Sequence, residues 1–600
     1  MTTSNLSIMI APSQFRTWAF VLVASALLVS HCAASKPEFD FIIVGGGTAG
    51  LTLANRLTEF PHVTVAVIEA GGEVFNNPNV TDPNSFTVAL NTAIDWQYKS
   101  VNQTHAGDQK IAYSAGKALG GTSTINGMTY VRAEKAQIDA WEKLGNSGWN
   151  WDDLFPYYLK SEQFDSPTSA QVEAGATYVS QDHGKKGPLN VGYAFGLLNG
   201  TYHEVVEQAW NNLGLPTSLD VNGGNVRGFT VWQSTINRDA NLREDAGRAY
   251  YYPVQSRPNL HVFLNTVANR ITWRESTGEC AVAGGVEITA ADGTVTTLDA
   301  KREVILSAGS LRSPAILELS GIGNPSILNK SGIPVKVNLP AVGENLQDQP
   351  NSQLIMSSNT TFNGTIPYVA FGSASDFLDS LPQNVNLTAW AEKVAVAIDH
   401  AVSVSSLEQI FRIQYELISN GVVDAESILQ TSYNLGFGAS GLVASAFWLL
   451  LPFSRGNVHI SSSDPLAYPV INPNYFLVDF DVDVQVAISK WTRKFWDTPP
   501  IQGLATETTP GFDALPKGAS DEQWANWVKT TFTGNSHPLG TAAMMSRELG
   551  GVVDSELRVY GTQNVRVVDA SVFPTQVSGH LTSTIYAIAE KIADVIKACI

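Results

Sequence analysis

The run FDFIIVGGGTAGLTLANRLTE, which begins at Phe39, permits few folds. The apolar stretch from Phe39 to Val44 reads as a buried strand that runs into Gly45, Gly47 and Gly50. From Thr48 the apolar residues recur at helical spacing, so a helix opens inside the glycine cluster. A second apolar run, VTVAVIE from Val63, ends on Glu69, 19 positions after Gly50. A lone G-x-G-x-x-G can be a mere tight turn. Strand, glycine turn, helix, strand and terminal acid in succession make a dinucleotide-binding unit. Its glycines let the backbone approach a pyrophosphate at the helix N-terminus, where free N–H groups and the helix dipole favour an anion. Glu69 can accept from the ribose hydroxyls of the adenosine half. The unit predicts an α/β chain with a Rossmann-like domain, and by itself it fits NAD and FAD equally.

At 600 residues the chain exceeds what one core organises, so a second domain is expected. Charged residues make up only 15% of it, with a net charge of −18, which leaves no basic surface to neutralise nucleic-acid phosphates. Near the N-terminus Arg16 precedes the apolar run WAFVLVASALLVS and then the small residues of HCAAS, the order of a signal peptide over residues 1–35. That run is too short to span a bilayer, and no stable membrane insertion is expected. Beyond it lie seven N-x-S/T sequons, at Asn79, Asn102, Asn199, Asn329, Asn359, Asn363 and Asn386. Leader and sequons together suggest a glycoprotein that is secreted or held in the secretory pathway or cell wall. Once Cys32 leaves with the leader, Cys280 and Cys599 remain and one disulfide is open to them. No Cys/His spacing of a metal site is present in the sequence, and no metal is expected.

Five later stretches carry further information. GKALGGTSTINGMTYVRAEKAQIDAW, from Gly116, crowds small residues around Asn126 and is too glycine-rich for a helix interior. GSLRSPAILELSGIG runs from Gly309, and LPAVGENLQDQP from Leu339. GNSHPLGTAAMM carries His537. VSGHLTSTIYAIAEKIADVI, from Val577, sets His580 at the mouth of a helix whose stripe of Ile585, Ile588, Ala589, Ile592, Val595 and Ile596 must face a core. Packing does not need a histidine there. Position by position these segments resemble the glucose–methanol–choline (GMC) oxidoreductases, and most of all their secreted fungal glucose oxidase and aryl-alcohol oxidase-like branches. The resemblance runs from Phe39 to about Ile596 and is weakest between Gln353 and Leu450.

The resemblance implies an enzyme that binds FAD noncovalently, since KALGGTSTING holds no histidine for flavin attachment and His105 is a poor substitute. Gly45, Gly47, Thr48, Ala49 and Gly50 would lie at the pyrophosphate, with Glu69 and Ala70 at the ribose. Val267 or Ala268 would touch the adenine through backbone atoms. Asn126, Gly127, Met128, Thr129 and Tyr130 would line the isoalloxazine. Asp569 and Ala570, in NVRVVDASVFP, complete the cofactor contacts with Leu581 and Thr582, whose N–H groups would meet the flavin pyrimidine edge. His537 and His580 would stand over the flavin face, His537 as principal base and His580 as the partner that orients the substrate oxygen. An imidazole suits this, because it can be neutral near its ordinary pKa of about 6.5 while a hydride leaves the same carbon.

The implied reaction is oxidation of a primary or secondary alcohol to a carbonyl, with O2 or another acceptor taking the electrons, as a step in making a fungal natural product. Where the glucose-oxidising pattern has an arginine four residues before the first histidine, this chain has Thr533, and loss of that multi-donor group argues against glucose. Family members without redox chemistry keep open a second reading, a lyase or dehydrative cyclase. The expected domains are an FAD-binding part over 36–350 with excursions, a substrate-binding part of antiparallel sheet and helices over 351–530, and a return to the FAD-binding part over 531–600. The segment from Leu450, with GNVHISSS as a strand, is expected in the capping sheet. A homodimer is compatible with this plan.

Overall fold

The first strand forms as Glu38–Val44 and is buried over most of its length, because it lies inside a sheet with a partner on each side. Val65–Ile68 and then Leu260–Phe263 pair in parallel on one flank, and Val295–Leu306 on the other. Parallel neighbours need a crossover, and helix Thr48–Leu57 supplies the first. The 12-residue strand Val295–Leu306 serves two further neighbours in turn. Its first half pairs antiparallel with Ala283–Thr289, which pairs with Val267–Trp273, and its last three residues pair in parallel with Val565–Val567. This mixed seven-stranded sheet is built from segments more than 500 residues apart. These relations come from a computed structural model that describes residues 37–84, 86–198, 200–275, 277–432 and 438–600. The expected leader and the sequon at Asn199 lie outside the described residues.

The C-terminal helix, Leu581–Lys597, packs its apolar stripe on helices Thr48–Leu57 and Trp151–Ser161. A charged staple sits in that interface. Glu590 is fully buried and accepts from Arg56 at 2.7–3.0 Å and from Tyr250 Oη at 3.0 Å, with Lys160 Nζ 3.2 Å away.

A second seven-stranded sheet is antiparallel throughout, in the order Ala505–Thr509, Pro350–Phe362, Ser440–Leu449, Val423–Thr431, Tyr368–Ser373 and Gly228–Val231, with Thr533–Gly534 also paired to the Pro350 strand. Strand Gly228–Val231 reaches it as an excursion from the first half of the chain. Helix Asp479–Trp496 covers one face, where Gln485 bonds to Ser352 Oγ and Trp496 Nε1 to Ser445 Oγ. Side chains alternate across a strand, so Asn351, Gln353, Ala446 and Trp448 turn to the opposite face.

One expectation changes. GNVHISSS does not join this sheet: Asn457–His459 pairs only with Val470–Asn472. The reason lies in His459, held between Glu318 at 2.7 Å and Glu344 at 3.0 Å, which docks the segment on the two stretches singled out from Gly309 and Leu339. Cys280 and Cys599 are both unpaired. Asn102, Asn329, Asn359, Asn363 and Asn386 are exposed, whereas Asn79 is half-buried. Among the described residues no helix is long and apolar enough to cross a membrane.

Candidate functional site

A single cavity of ≈ 590 Å³ runs from the glycine turn to the free face of the second sheet, within the range of small-molecule sites. At one end it meets Gly45, Gly47, Thr48 and Ala49. Gly45 has φ +107°, and a Cβ there would stand 2.3 Å from the Ser307 carbonyl oxygen, so only glycine turns the chain here. The Thr48–Leu57 helix has no side-chain cap at Gly47 and no acid in its first turn, which leaves its N–H groups for an anion. Glu69 and Ala70 come next, facing Val267 and Ala268. Both Glu69 oxygens are already fixed, Oε2 by the Gly46 N–H at 2.9 Å and Oε1 by the Gly71 N–H at 2.7 Å. Burial pushes its carboxyl up to about 7.

Further along lie Asn126, Gly127, Met128 and Thr129. Arg243 donates to the Asn126 carbonyl at 2.7 Å and to Oδ1 at 2.8 Å, while Asn126 Nδ2 donates to Thr582 Oγ1 at 3.2 Å. The glycine-rich loop is thereby tied to the start of the C-terminal helix, where Leu581 and Thr582 also line the cavity. Asp569 and Ala570 close this side. Asp569 Oδ2 accepts the Gly309 N–H at 2.9 Å and Ser313 Oγ at 2.6 Å, anchoring the Gly309 stretch.

Two of the expected residues do not line the cavity. Gly50 does not face the cavity; its Cβ would fall 2.0 Å from the Gly45 carbonyl oxygen, so its task is close helix–strand packing. Tyr130 is fully buried outside the cavity, because the strand pleat turns it opposite to Thr129. With those two removed, the uncapped helix ends, the fixed acid and the long continuous cavity fit FAD.

His537 and His580 meet at the other end, ring centroids 5.0 Å apart and planes at 86°. His580 is the N-cap residue of the C-terminal helix, yet its side chain makes no capping bond. Its Nε2 lies instead 2.9 Å from Glu426 Oε1 on the second sheet. His537 follows strand Thr533–Gly534, which fixes its height over the cavity. Its N–H donates to Asp348 Oδ1 at 2.8 Å, and its Nδ1 lies 2.8 Å from Gln349 Oε1 and 3.0 Å from Asn535 Nδ2. Burial, and then the neighbouring His580, hold the His537 imidazole well below the ordinary histidine range. Opposite the pair, the sheet presents the apolar side chains of Ile428, Ala446 and Trp448 together with the amides of Asn351, Gln353 and Gln430. Thr533 does not line the cavity.

Sequence reasoning missed Glu426, Gln349, Asp348 and Asn535. A signal existed for Glu426, one of two carboxyls, with Asp424, inside the run VDAESILQT that forms the buried strand Val423–Thr431. Asp348 and Gln349 stood in plain view in LPAVGENLQDQP, with nothing to say which residue they touch.

The N-terminal GMC oxidoreductase profile matches residues 39–351, and the C-terminal GMC oxidoreductase profile matches residues 452–589. The glucose oxidase-like protein fsoC of Humicola fuscoatra is 47% identical over 587 residues, covering 96% of this chain and 98% of its own. A glucose oxidase of Aspergillus carbonarius is 37% identical, over 96% of this chain and 95% of its own. Among solved structures, an FAD-dependent oxidoreductase from Chaetomium thermophilum superposes with TM-score 0.82 at 31% identity, covering 93% of this chain and 99% of that one. A fungal aryl-alcohol oxidase gives TM-score 0.82 at 29% identity, over 94% and 99%. The chain belongs to the GMC oxidoreductases and is an FAD-dependent enzyme.

Proposed function

We propose that this chain is a secreted alcohol oxidase that converts a primary or secondary alcohol of mainly apolar surroundings to its carbonyl, with O2 as acceptor, in tailoring a fungal natural product. The observation that carries the reading is the pair of perpendicular histidine rings, 5.0 Å apart, in the wall of the FAD cavity. Bound FAD supplies the hydride acceptor. The protein's own residues handle the proton. His537, kept neutral by burial, takes the hydroxyl proton through the nitrogen that Gln349 and Asn535 leave free. His580, tied at Nε2 to Glu426, orients the substrate oxygen with its other nitrogen. The second sheet excludes water with Trp448, Ile428 and Ala446 and sets the amides Asn351, Gln353 and Gln430 beside them. The apolar half of that wall, and the lack of an arginine at position 533, where the threonine stays outside the cavity, support an apolar alcohol over glucose, although the relatives above carry the glucose oxidase name.

The test is anaerobic mixing of the yellow holoenzyme with a panel of alcohols while the flavin absorbance is followed, then admission of air. Bleaching by one alcohol class and recolouring in air, with H2O2 released, is expected. Substrate consumed by dehydration or carbon–carbon cleavage while the flavin stays oxidised would replace this reading with the lyase or cyclase one.

A further inference from the structure

The reading above leaves the conspicuous stretch Leu339–Pro350 without a chemical task, yet its last two polar side chains both reach His537. Asp348 takes the backbone N–H, and Gln349 Oε1 lies 2.8 Å from the ring Nδ1. Which way the Gln349 amide points is decided by its other neighbours. Its Nε2 donates to the Leu450 carbonyl at 3.1 Å, and its Oε1 also accepts from Asn535 Nδ2 at 3.1 Å. Turning the amide over would set oxygen against carbonyl and NH2 against NH2, in a residue with no exposed surface. Asn535 follows from Gln349: its Nδ2 must face Oε1 at 3.1 Å, which leaves its Oδ1 to accept from Asn351 Nδ2 at 2.9 Å.

With Oε1 held against Nδ1, only a protonated Nδ1 makes a hydrogen bond to Gln349. A bare Nδ1 would place two lone pairs 2.8 Å apart. Asn535 Nδ2 carries two protons: one goes to Gln349 Oε1, and the other reaches Nδ1 only over the longer 3.0 Å contact, so the 2.8 Å contact with Gln349 sets the tautomer. His537 Nε2 has no hydrogen-bond partner among the described residues. We infer that Gln349 is a positioning residue that holds His537 in its Nδ1–H tautomer and so leaves Nε2 bare for the substrate hydroxyl. The inference deepens the reading of His537 as base and rests on it for its catalytic meaning, though not for the tautomer itself.

The tautomer is read without turnover, from ring-nitrogen NMR signals of holoenzyme labelled with ¹⁵N-histidine, the His537 signals being assigned by their loss in His537→Asn. Wild type should show a protonated Nδ1 and a bare Nε2. Gln349→Leu should lose that preference, keep its flavin, and slow anaerobic flavin reduction by between about tenfold and about 10⁴-fold, with apparent substrate affinity changed less than about threefold. Gln349→Glu keeps the acceptor and adds a charge. It should retain the tautomer while moving the acid limb of the reduction rate upward by about one pH unit or more. A wild-type His537 with its proton on Nε2, or an unmoved limb in Gln349→Glu, overturns the inference even if the leucine variant fails to fold. A wild type with the stated tautomer that no alcohol reduces overturns the oxidase reading and leaves the tautomer standing.

Discussion

A buried imidazole is penalised for carrying charge, and no acid touches the His537 ring to offset that penalty: the ring's hydrogen-bonding contacts are amides, Asp348 meets only the backbone N–H, and a second histidine faces the ring. The sign of the pH effect follows. Because its pKa is lowered, the neutral base persists below the ordinary histidine value of about 6.5. Anaerobic flavin reduction should therefore be flat through that value and fall about tenfold per unit only in more acidic solution. A limb centred above it would show that burial does not govern this ring. Replacing His537 with Ala should slow reduction by about 10²–10⁴-fold with flavin still bound, and a rate near wild type would remove it as base. At this scale the sequence was half legible. Histidine residue types announce proton chemistry, but amides such as Gln349 and Asn535 are common on any surface, and only the fold brings them to one ring.

The C-terminal helix joins two tasks in one element. Its first residues line the cavity, and its body is clamped to Thr48–Leu57, the helix at the other end of the same cavity, through Arg56 and Glu590. Removing one partner of a buried ion pair costs about 3–5 kcal/mol, because the other charge stays behind. Glu590→Ala should accordingly lower the urea midpoint of unfolding and release FAD earlier in the titration, followed by flavin fluorescence. An unchanged midpoint would mean that Arg56, which keeps some exposure, is satisfied by water. The apolar stripe of this helix was plain from its spacing, whereas Glu590 was not, since its partner lies 534 positions away. GNVHISSS shows the converse. Its alternation reads as a sheet strand, but alternation does not say which neighbour is available, and the grip of Glu318 and Glu344 on His459 decided it.

For the whole molecule, the cofactor cavity is where separated segments of the chain meet, which makes FAD affinity a report on the assembled fold. Local signals sufficed for the Rossmann-like half, because glycine turn, helix and acid follow within 31 residues, from Phe39 to Glu69. The second sheet was legible only as a class, since its strands come from Gly228 to Gly534 and their pairing is non-local. Glu69 links the two levels. Burial holds its carboxyl at about 7 against the Gly71 and Gly46 N–H groups and the charge of Lys117. Ribose hydroxyls donating to it would favour the ionised form, so binding should draw on the deprotonated protein. The affinity of apoprotein for FAD should then be level above about pH 7 and weaken below it, by up to about tenfold per unit, until the lower pKa of the complex is reached. Glu69→Gln loses the charge-assisted bonds, worth about 1.5–3 kcal/mol, and should bind about tenfold to 150-fold more weakly at pH 8 with a flatter pH profile. FAD titrations of apoprotein between pH 5 and 9 measure both. If wild type shows no pH dependence there, or the glutamine variant keeps the same slope, Glu69 is a packing residue of the glycine turn and another group reads the ribose.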